Sequence, residues 1–420
     1  MSTDISQKIT SSRPRWIDQF ARKGVMARFE KISYGQIRIT DSRGEMIFGQ
    51  PVSDGELCVD IKVIEPRFYS DLAFGGSVAA GESYMQGCWT CSDLTALVRI
   101  MVRNRHVLDA VEGSLSKLKA PLLRIGHWLN RNTQSGSRRN IEAHYDLGNE
   151  MFELFLDPTM MYSSAYYPRP ESTLEEASVG KLKRICDKLQ LNSDDHVIEI
   201  GTGWGGFAIY AATHYGCRVT TTTISKEQHA MAASRVAAAG LEDKITLLME
   251  DYRDLSGQYD KLVSIEMIEA VGHQYLDTYF AKCSSLLKPE GIMLIQAITI
   301  ADQYYDQAIN SVDFIQKFIF PGGFIPSVSA IADSVKKATD MRLFHLEDIG
   351  PHYATTLQHW RERFFDNIEQ VKALGYSDQF IRMWEFYLCY SEGGFLERAL
   401  GDAHLVLIKP ENRIDWRGSL

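Results

Sequence analysis

The stretch Val197-Ile-Glu-Ile-Gly201-Thr-Gly203-Trp-Gly-Gly206 runs from a short apolar strand into a cluster of glycines that opens a helix. Glycine lets the backbone approach a ligand closely, and the first turn of the helix offers N–H groups with no partner inside the helix. A dinucleotide would suit such a turn, and so would a methyl donor. The next strand separates the two. A dinucleotide fold usually ends there on an acid for the ribose, whereas Cys217-Arg-Val-Thr-Thr-Thr-Thr-Ile-Ser225 supplies none, which favours S-adenosylmethionine. Glu199 suits two roles, a buried structural acid or a group that orients the ammonium of that cofactor.

Cys88 and Cys91 have the C-x-x-C spacing of a redox couple or of half a zinc site. Neither a second pair nor an H-x-x-H stands near them, so they read as two unpaired thiols, and no metal ligand is assigned. In Phe314-Ile-Gln-Lys-Phe-Ile-Phe-Pro-Gly-Gly-Phe-Ile-Pro326, Phe and Ile flank a Pro-Gly-Gly turn and Lys317 is the one charge. The segment suits the wall of an acyl-chain tunnel or, alternatively, ordinary packing of inserted helices. From Ser114 to Asn140 stand Lys117, Lys119, Arg124, Arg131, Arg138 and Arg139 without an acid, alongside an apolar stripe at helical spacing. That segment reads either as a surface for an anionic bilayer or as a linker helix, bent at Pro121, packed on its own domain.

The frame for these pieces is a 420-residue chain, 45% hydrophobic and 24% charged, enough for a full core and two or three domains. No run of about 18 apolar residues occurs and the first residues lack a secretory pattern, which predicts a cytoplasmic protein. Seven scattered cysteines fit reduced thiols. A net charge of -9 argues against broad nucleic-acid binding and leaves any membrane contact to a local patch. Residues 1–130 read as a small α+β domain. It begins with an amphipathic helix carrying Trp16, Ile17, Phe20, Val25 and Phe29, continues into a hairpin around Asp41-Ser-Arg-Gly44, and has a further helix near Ser92–Asn104. The Gln134-Ser-Gly-Ser137 cluster marks the boundary, and residues 131–420 form the second domain. From residue 196 strands and helices alternate, the pattern of an α/β, doubly wound, mostly parallel sheet, with a helical insertion at 301–340, helices over 355–397 and a final strand at His404-Leu-Val-Leu-Ile-Lys-Pro410.

Seven pieces in order carry a resemblance. They are Gly81-Glu-Ser-Tyr-Met-Gln-Gly-Cys-Trp89, His144-Tyr-Asp-Leu-Gly-Asn149, Leu156-Asp-Pro-Thr-Met-Met-Tyr-Ser163, the glycine motif, Thr223-Ile-Ser-Lys-Glu-Gln228, Met267-Ile-Glu-Ala-Val-Gly-His273 and His352-Tyr-Ala-Thr-Thr-Leu-Gln-His-Trp360. Over nearly its whole length the chain resembles the cyclopropane-fatty-acyl-phospholipid synthases and the related mycolic-acid cyclopropane synthases. The resemblance implies a seven-stranded methyltransferase sheet. It also implies that Gly201 and Gly203 line the methionine part of S-adenosylmethionine, that Tyr162 and Ser163 hold it from the preceding segment, that Thr223 and Gln228 meet the ribose, and that Asp251 and Tyr252 bind the adenine. Without that context Tyr162 and Tyr252 read as core aromatics.

The same resemblance implies a bound bicarbonate that takes a proton from the reacting chain. Glu269 matches the family's glutamate and Tyr353 its tyrosine, while Ser164 and Ile298 fall where backbone amides hold the anion. Two positions depart from the pattern: Ser164 stands where the family usually has cysteine, and Gln296 where it often has histidine. An amide can only hydrogen-bond, so Gln296 can hold bicarbonate but cannot titrate near neutrality as a histidine does. The implied function is transfer of a methylene group to the cis double bond of an unsaturated acyl chain in a membrane phospholipid, by a peripheral, cytoplasmic-face enzyme that is a homodimer in the family. Alternatives are a methyl- or methylene-branched product, a small-molecule N- or O-methyltransferase on the same fold, and a lipid-binding protein with a vestigial site.

Overall fold

The computed structural model describes residues 15–52, 57–107 and 148–413. The chain divides into two compact units, Met1–Leu123 with Tyr376–Glu397, and Arg124–Gly375 with Arg398–Leu420. The basic segment 114–140, the boundary near residue 130 and most of the His144 motif lie outside the described residues.

In the first unit β1 (Gly35–Asp41), β2 (Gly44–Gln50), β3 (Cys58–Val63) and β4 (Trp89–Cys91) form a sheet in the order β2-β1-β3-β4. β1 and β2 are the expected hairpin, closed where Asp41 faces Gly44, and Gly44 takes a φ of +125° that suits only glycine. The helix Trp16–Phe29 buries Ala21, Val25, Met26 and Phe29, and Phe29 meets Phe48 edge-on at 5.9 Å. Trp16 and Phe20 are 78% and 64% exposed, which corrects the single apolar face read from sequence. At 100° per residue, Val25 lies half a turn round the helix from Trp16 and the two stripes face opposite ways. Cys88 and Cys91 are free thiols with separate partners, the Glu65 carboxylate and the Asp93 carbonyl.

The second unit is built on seven strands: β5 (His196–Ile200), β6 (Arg218–Thr222), β7 (Ile245–Leu248), β8 (Tyr259–Ile265), β9 (Leu287–Ile300), β10 (Arg342–Asp348) and β11 (Leu400–Ile408). They lie in the order β10-β11-β9-β8-β5-β6-β7. Every pair from β9 to β7 is parallel, and β11 runs antiparallel to both β9 and β10. Alternate side chains feed two cores. Ile198, Leu262, Met293, Ile295 and Leu405 go to one, and Val197, Val263, Ile292, Leu294 and Val406 to the other. Burial on both faces explains why these strands read as unbroken apolar runs. The edge strand β10 escapes sequence reading because Leu343, Phe344 and Leu346 are each 37% exposed and no buried face marks it.

Candidate active site

The glycine turn follows β5 at the carboxyl edge of the parallel strands, the edge where doubly wound sheets bind ligands. Gly201, Gly203 and Gly205 have φ of +104°, +52° and +84°, so the chain doubles back sharply before the helix Gly206–Tyr215. A Cβ on Gly203 would meet nothing within 4 Å, which leaves its face open to a ligand. A Cβ on Gly206 would come within 2.6 Å of the Thr159 carbonyl oxygen, so the segment before Tyr162 lies against the turn. Arg235 fixes that arrangement by donating to the carbonyls of Pro158, Thr159 and Trp204.

The remaining residues assigned to the cofactor follow the neighbouring strands. Thr223, after β6, donates to Gln228 Oε1 at 2.9 Å, and both are buried. Asp251 and Tyr252 follow β7, and both carboxylate oxygens of Asp251 are engaged by Arg253. The Tyr252 hydroxyl is buried with no hydrogen-bond partner. Tyr162 packs against Phe152 and Trp360 at 5.1 and 5.2 Å. Glu199 sits inside β5, where it accepts from Thr221 Oγ1 and burial pushes its carboxyl up to about 8.

A second cluster forms where β8 ends. Glu266 takes a φ of +45°, unusual for a side chain larger than glycine, while its N–H donates to the Gln296 carbonyl at 2.8 Å. Its Oε1 accepts from the Ser164 N–H and from Gln296 Nε2, each at 2.7 Å, and its Oε2 accepts from the Tyr353 hydroxyl at 2.8 Å. Three of the residues assigned from sequence thus meet on a carboxylate that sequence reasoning did not single out. Its signal was present as a second acid three residues before Glu269, at a strand end. Glu269 accepts from the Ile298 N–H at 2.6 Å, and its Oε2 has no hydrogen-bond partner.

The helix Gly350–Asp366 brings Tyr353 to this point, held to the segment around Ser164 by Thr356 to the Ala165 N–H and by His352 to the Tyr167 N–H. Behind the cluster, Gln296 Nε2 also donates to Asp402 Oδ2 at 2.9 Å, and its Oε1 lies 3.2 Å from His404 Nε2. Lys188 donates to His404 Nδ1 at 3.1 Å, which leaves the ring proton on Nε2 to be donated to Gln296. Lys181, fully enclosed, donates to Ser163 Oγ.

Electrostatics distinguish the three carboxyls. Burial, with the charge of Glu266, lifts Glu269 to about 8, and burial with the charges of Glu266 and Glu269 lifts Asp402 well above the ordinary range. Burial raises Glu266 too, but Lys181 and its three donors oppose this. Of the three, Glu266 alone accepts three hydrogen bonds, which favour its charged form. Burial lowers Lys181 to about 8, against the pull of Glu266, Asp402 and Asp157, so it remains a cation at neutral pH.

The apolar segment Phe314–Pro326 is tied to this cluster through its backbone. The Phe324 N–H donates to the Glu269 carbonyl and the Ile300 N–H to the Pro326 carbonyl, both at 3.0 Å.

A glycine turn on the carboxyl edge of this sheet, faced by a segment bearing Tyr162 and Ser163, defines the class: an S-adenosylmethionine-dependent methyltransferase. The sequence profile of the mycolic acid cyclopropane synthetase family matches residues 132–404, and the chain belongs to that family. It is 41% identical over 352 residues to the tuberculostearic acid methyltransferase UfaA1 of Mycobacterium tuberculosis, covering 80% of this chain and 79% of that one. It is also 41% identical over 347 residues to the cyclopropane-fatty-acyl-phospholipid synthase of Escherichia coli K12, covering 82% and 86%. Among solved structures, the cyclopropane synthase MmaA2 of Mycobacterium tuberculosis superposes with a TM-score of 0.61 at 28% identity, covering 65% of this chain and 98% of that one. The mycolic acid cyclopropane synthase CmaA1, complexed with SAH and CTAB, has the same TM-score, identity and coverage.

Proposed function

We propose that the enzyme transfers a one-carbon unit from S-adenosylmethionine to the cis double bond of an unsaturated acyl chain in a membrane phospholipid and closes a cyclopropane ring. When bound, S-adenosylmethionine supplies an electrophilic methyl group on a sulfonium. The observation that carries the reading is the pairing of a half-buried carboxyl cluster, Glu266 and Glu269, with the apolar Phe314–Pro326 segment hydrogen-bonded to the Glu269 backbone. An alkene is a weak nucleophile and needs an apolar, water-poor enclosure beside the methyl donor. The alkene carbon bonds to the methyl carbon, the old bond's electron pair stays on sulfur, and the neighbouring carbon becomes cationic. Carboxyl groups held beside that carbon lower the barrier electrostatically.

The glycine turn, Thr223 with Gln228, and Tyr162 with Ser163 would hold the cofactor. Asp251 Oδ2 accepts one hydrogen bond from Arg253 and keeps a second lone pair with which it would meet the adenine. A second reading, methylation without ring closure, is favoured by Gln296, which cannot titrate, and by the likeness to the tuberculostearic acid methyltransferase. We place the enzyme on the inner face of the membrane, as a homodimer. Exposed Trp16 and Phe20 support lipid contact by the first unit, since aromatic side chains favour the interfacial layer. Among the described residues no helix is long and apolar enough to cross a membrane.

The test is incubation with S-adenosylmethionine and vesicles of cis-unsaturated phospholipid, followed by proton spectra of the extracted chains. Upfield ring-methylene signals with loss of vinyl signals establish the synthase reading. Exocyclic or branch-methyl signals establish the second, and unmodified lipid with turnover on soluble amines establishes a small-molecule methyltransferase.

A further inference from the structure

The carboxylate of Glu266 takes the donors that a bicarbonate would need. The Ser164 N–H and the Tyr353 hydroxyl, two of the groups assigned to that anion from the family resemblance, both donate to Glu266, and so does Gln296. A planar carboxylate and a bicarbonate present the same pair of oxygens to such donors, so the two compete for one place. With Glu266 seated there, bicarbonate does not fit. We propose that Glu266 is the catalytic base of this enzyme, a carboxylate built into the chain that removes the need for bicarbonate.

Two further observations support the assignment. Glu266 is held at a φ of +45°, a conformation that costs energy for any side chain with a Cβ and that clusters at functional sites. Its surroundings are closed: Ser164, Gln296, Asp402 and Lys181 are all at 0% exposure, and Tyr353 is at 5%. Of the three carboxyl groups, Asp402 is fully buried while Glu266 and Glu269 keep partly open surface, so the two glutamates are the acids that can meet a substrate. Oε2 of Glu266 accepts one hydrogen bond from Tyr353 and keeps a second lone pair.

The inference rests on the acyl-chain reading above. In the step, a proton leaves the newly attached methyl group for an oxygen of Glu266, and the freed C–H electron pair forms the third carbon–carbon bond of the ring. In the branched alternative the same pair forms a C=C bond after a 1,2-hydride shift. Glu266 leaves the step as a neutral acid and returns its proton to solvent, so no oxidant or reductant is needed.

The experiment compares full-length wild type, Glu266→Gly and Glu266→Gln on vesicles of cis-unsaturated phospholipid, in carbon-dioxide-free buffer and with added bicarbonate. Glycine is at ease at this φ, so Glu266→Gly folds while opening the anion site. Wild type turns over at the same rate, within about twofold, in both buffers. Glu266→Gly loses on the order of a hundredfold without bicarbonate and recovers saturably with it, the scale of one general base. Glu266→Gln stays slow in both, since its amide fills the site without accepting the proton. A wild-type rate that collapses without bicarbonate, or a folded Glu266→Gly that bicarbonate does not rescue, overturns the proposal. Binding of carbon-13-labelled bicarbonate, read by line broadening, judges Glu266 separately. Saturable binding to Glu266→Gly but not to wild type supports it, and equal binding to both overturns it. If wild type gives no product in either buffer, the acyl-chain reading falls, and this binding result alone decides the role of Glu266.

Discussion

Gln296 and His404 face each other across the antiparallel pair of β9 and β11, with His404 Nε2 at 3.2 Å from Gln296 Oε1. The imidazole absent from position 296 is thus present one strand away, where it fixes the amide so that Nε2 serves Glu266 and Asp402. Burial and the charge of Lys188 hold His404 well below the ordinary range, so it is neutral and acts by positioning.

His404→Leu should therefore lower kcat about tenfold while leaving the KM for S-adenosylmethionine within about twofold, because misorientation affects the reacting geometry more than cofactor binding. His404→Gln, which keeps an N–H donor, should recover most of the loss. Equal activity of both variants and wild type would show that the amide needs no such support.

Burial and the charge of Glu266 keep Glu269 largely protonated at pH 7, so Glu269→Gln should cost no more than about tenfold in turnover there, and the deficit should widen as pH rises through about 8 and the wild-type carboxyl ionises. Titration calorimetry should show an unchanged affinity for S-adenosylmethionine. A tenfold weaker affinity would move Glu269 to the cofactor side of the site.

Glu199 ties stability to pH. Its carboxyl is raised in the fold to about 8 by burial, from an ordinary value near 4.5, so the folded state binds the proton more tightly than the unfolded state. The stabilisation is fully present below about 4.5 and is lost as pH rises through about 8. Glu199→Gln should flatten the profile. Its Tm relative to wild type should rise between pH 5 and 8, and a constant difference would show that Glu199 does not titrate in that window.

Gly203→Ala places a methyl group where the structure leaves open space, at a φ of +52°. The strain should cost about 1 kcal/mol of stability. Affinity for S-adenosylmethionine should fall at least about tenfold if the open space belongs to the cofactor. Unchanged affinity with reduced stability would place the cofactor elsewhere.

Replacing Trp16 and Phe20 together by alanine should leave the fold intact, since both are exposed. Activity on vesicles should fall several-fold, as expected when interfacial aromatic area is removed, and activity on detergent-dispersed lipid should not. Equal effects on both substrates would separate this helix from membrane contact.

The central strands and the glycine turn were legible because their signals are local. Parallel strands covered on both faces read as apolar runs, and glycines stand where the chain must turn with positive φ. The hairpin at Asp41 was legible for the same reason. The edge strand β10 was not, because its exposed side chains show no buried face. The amphipathic reading of the first helix failed at Trp16 and Phe20, whose spacing is helical but whose stripe faces away from the buried one.

Within the site, the sequence by itself determined which residue types were available: the glycine turn, Glu269, Tyr353, and an amide at position 296 in place of a histidine. Only the tertiary structure decided what they bond to. Glu266 draws its donors from Ser164, 102 residues away, and Tyr353, 87 residues away, while Gln296 meets His404 at a separation of 108. Periodicity reports how one segment divides its side chains between core and solvent, a preference each segment carries alone. A hydrogen-bond partner depends on the register of β9 against β11 and on the docking of a helix over a strand end, and these are fixed only when the whole sheet packs.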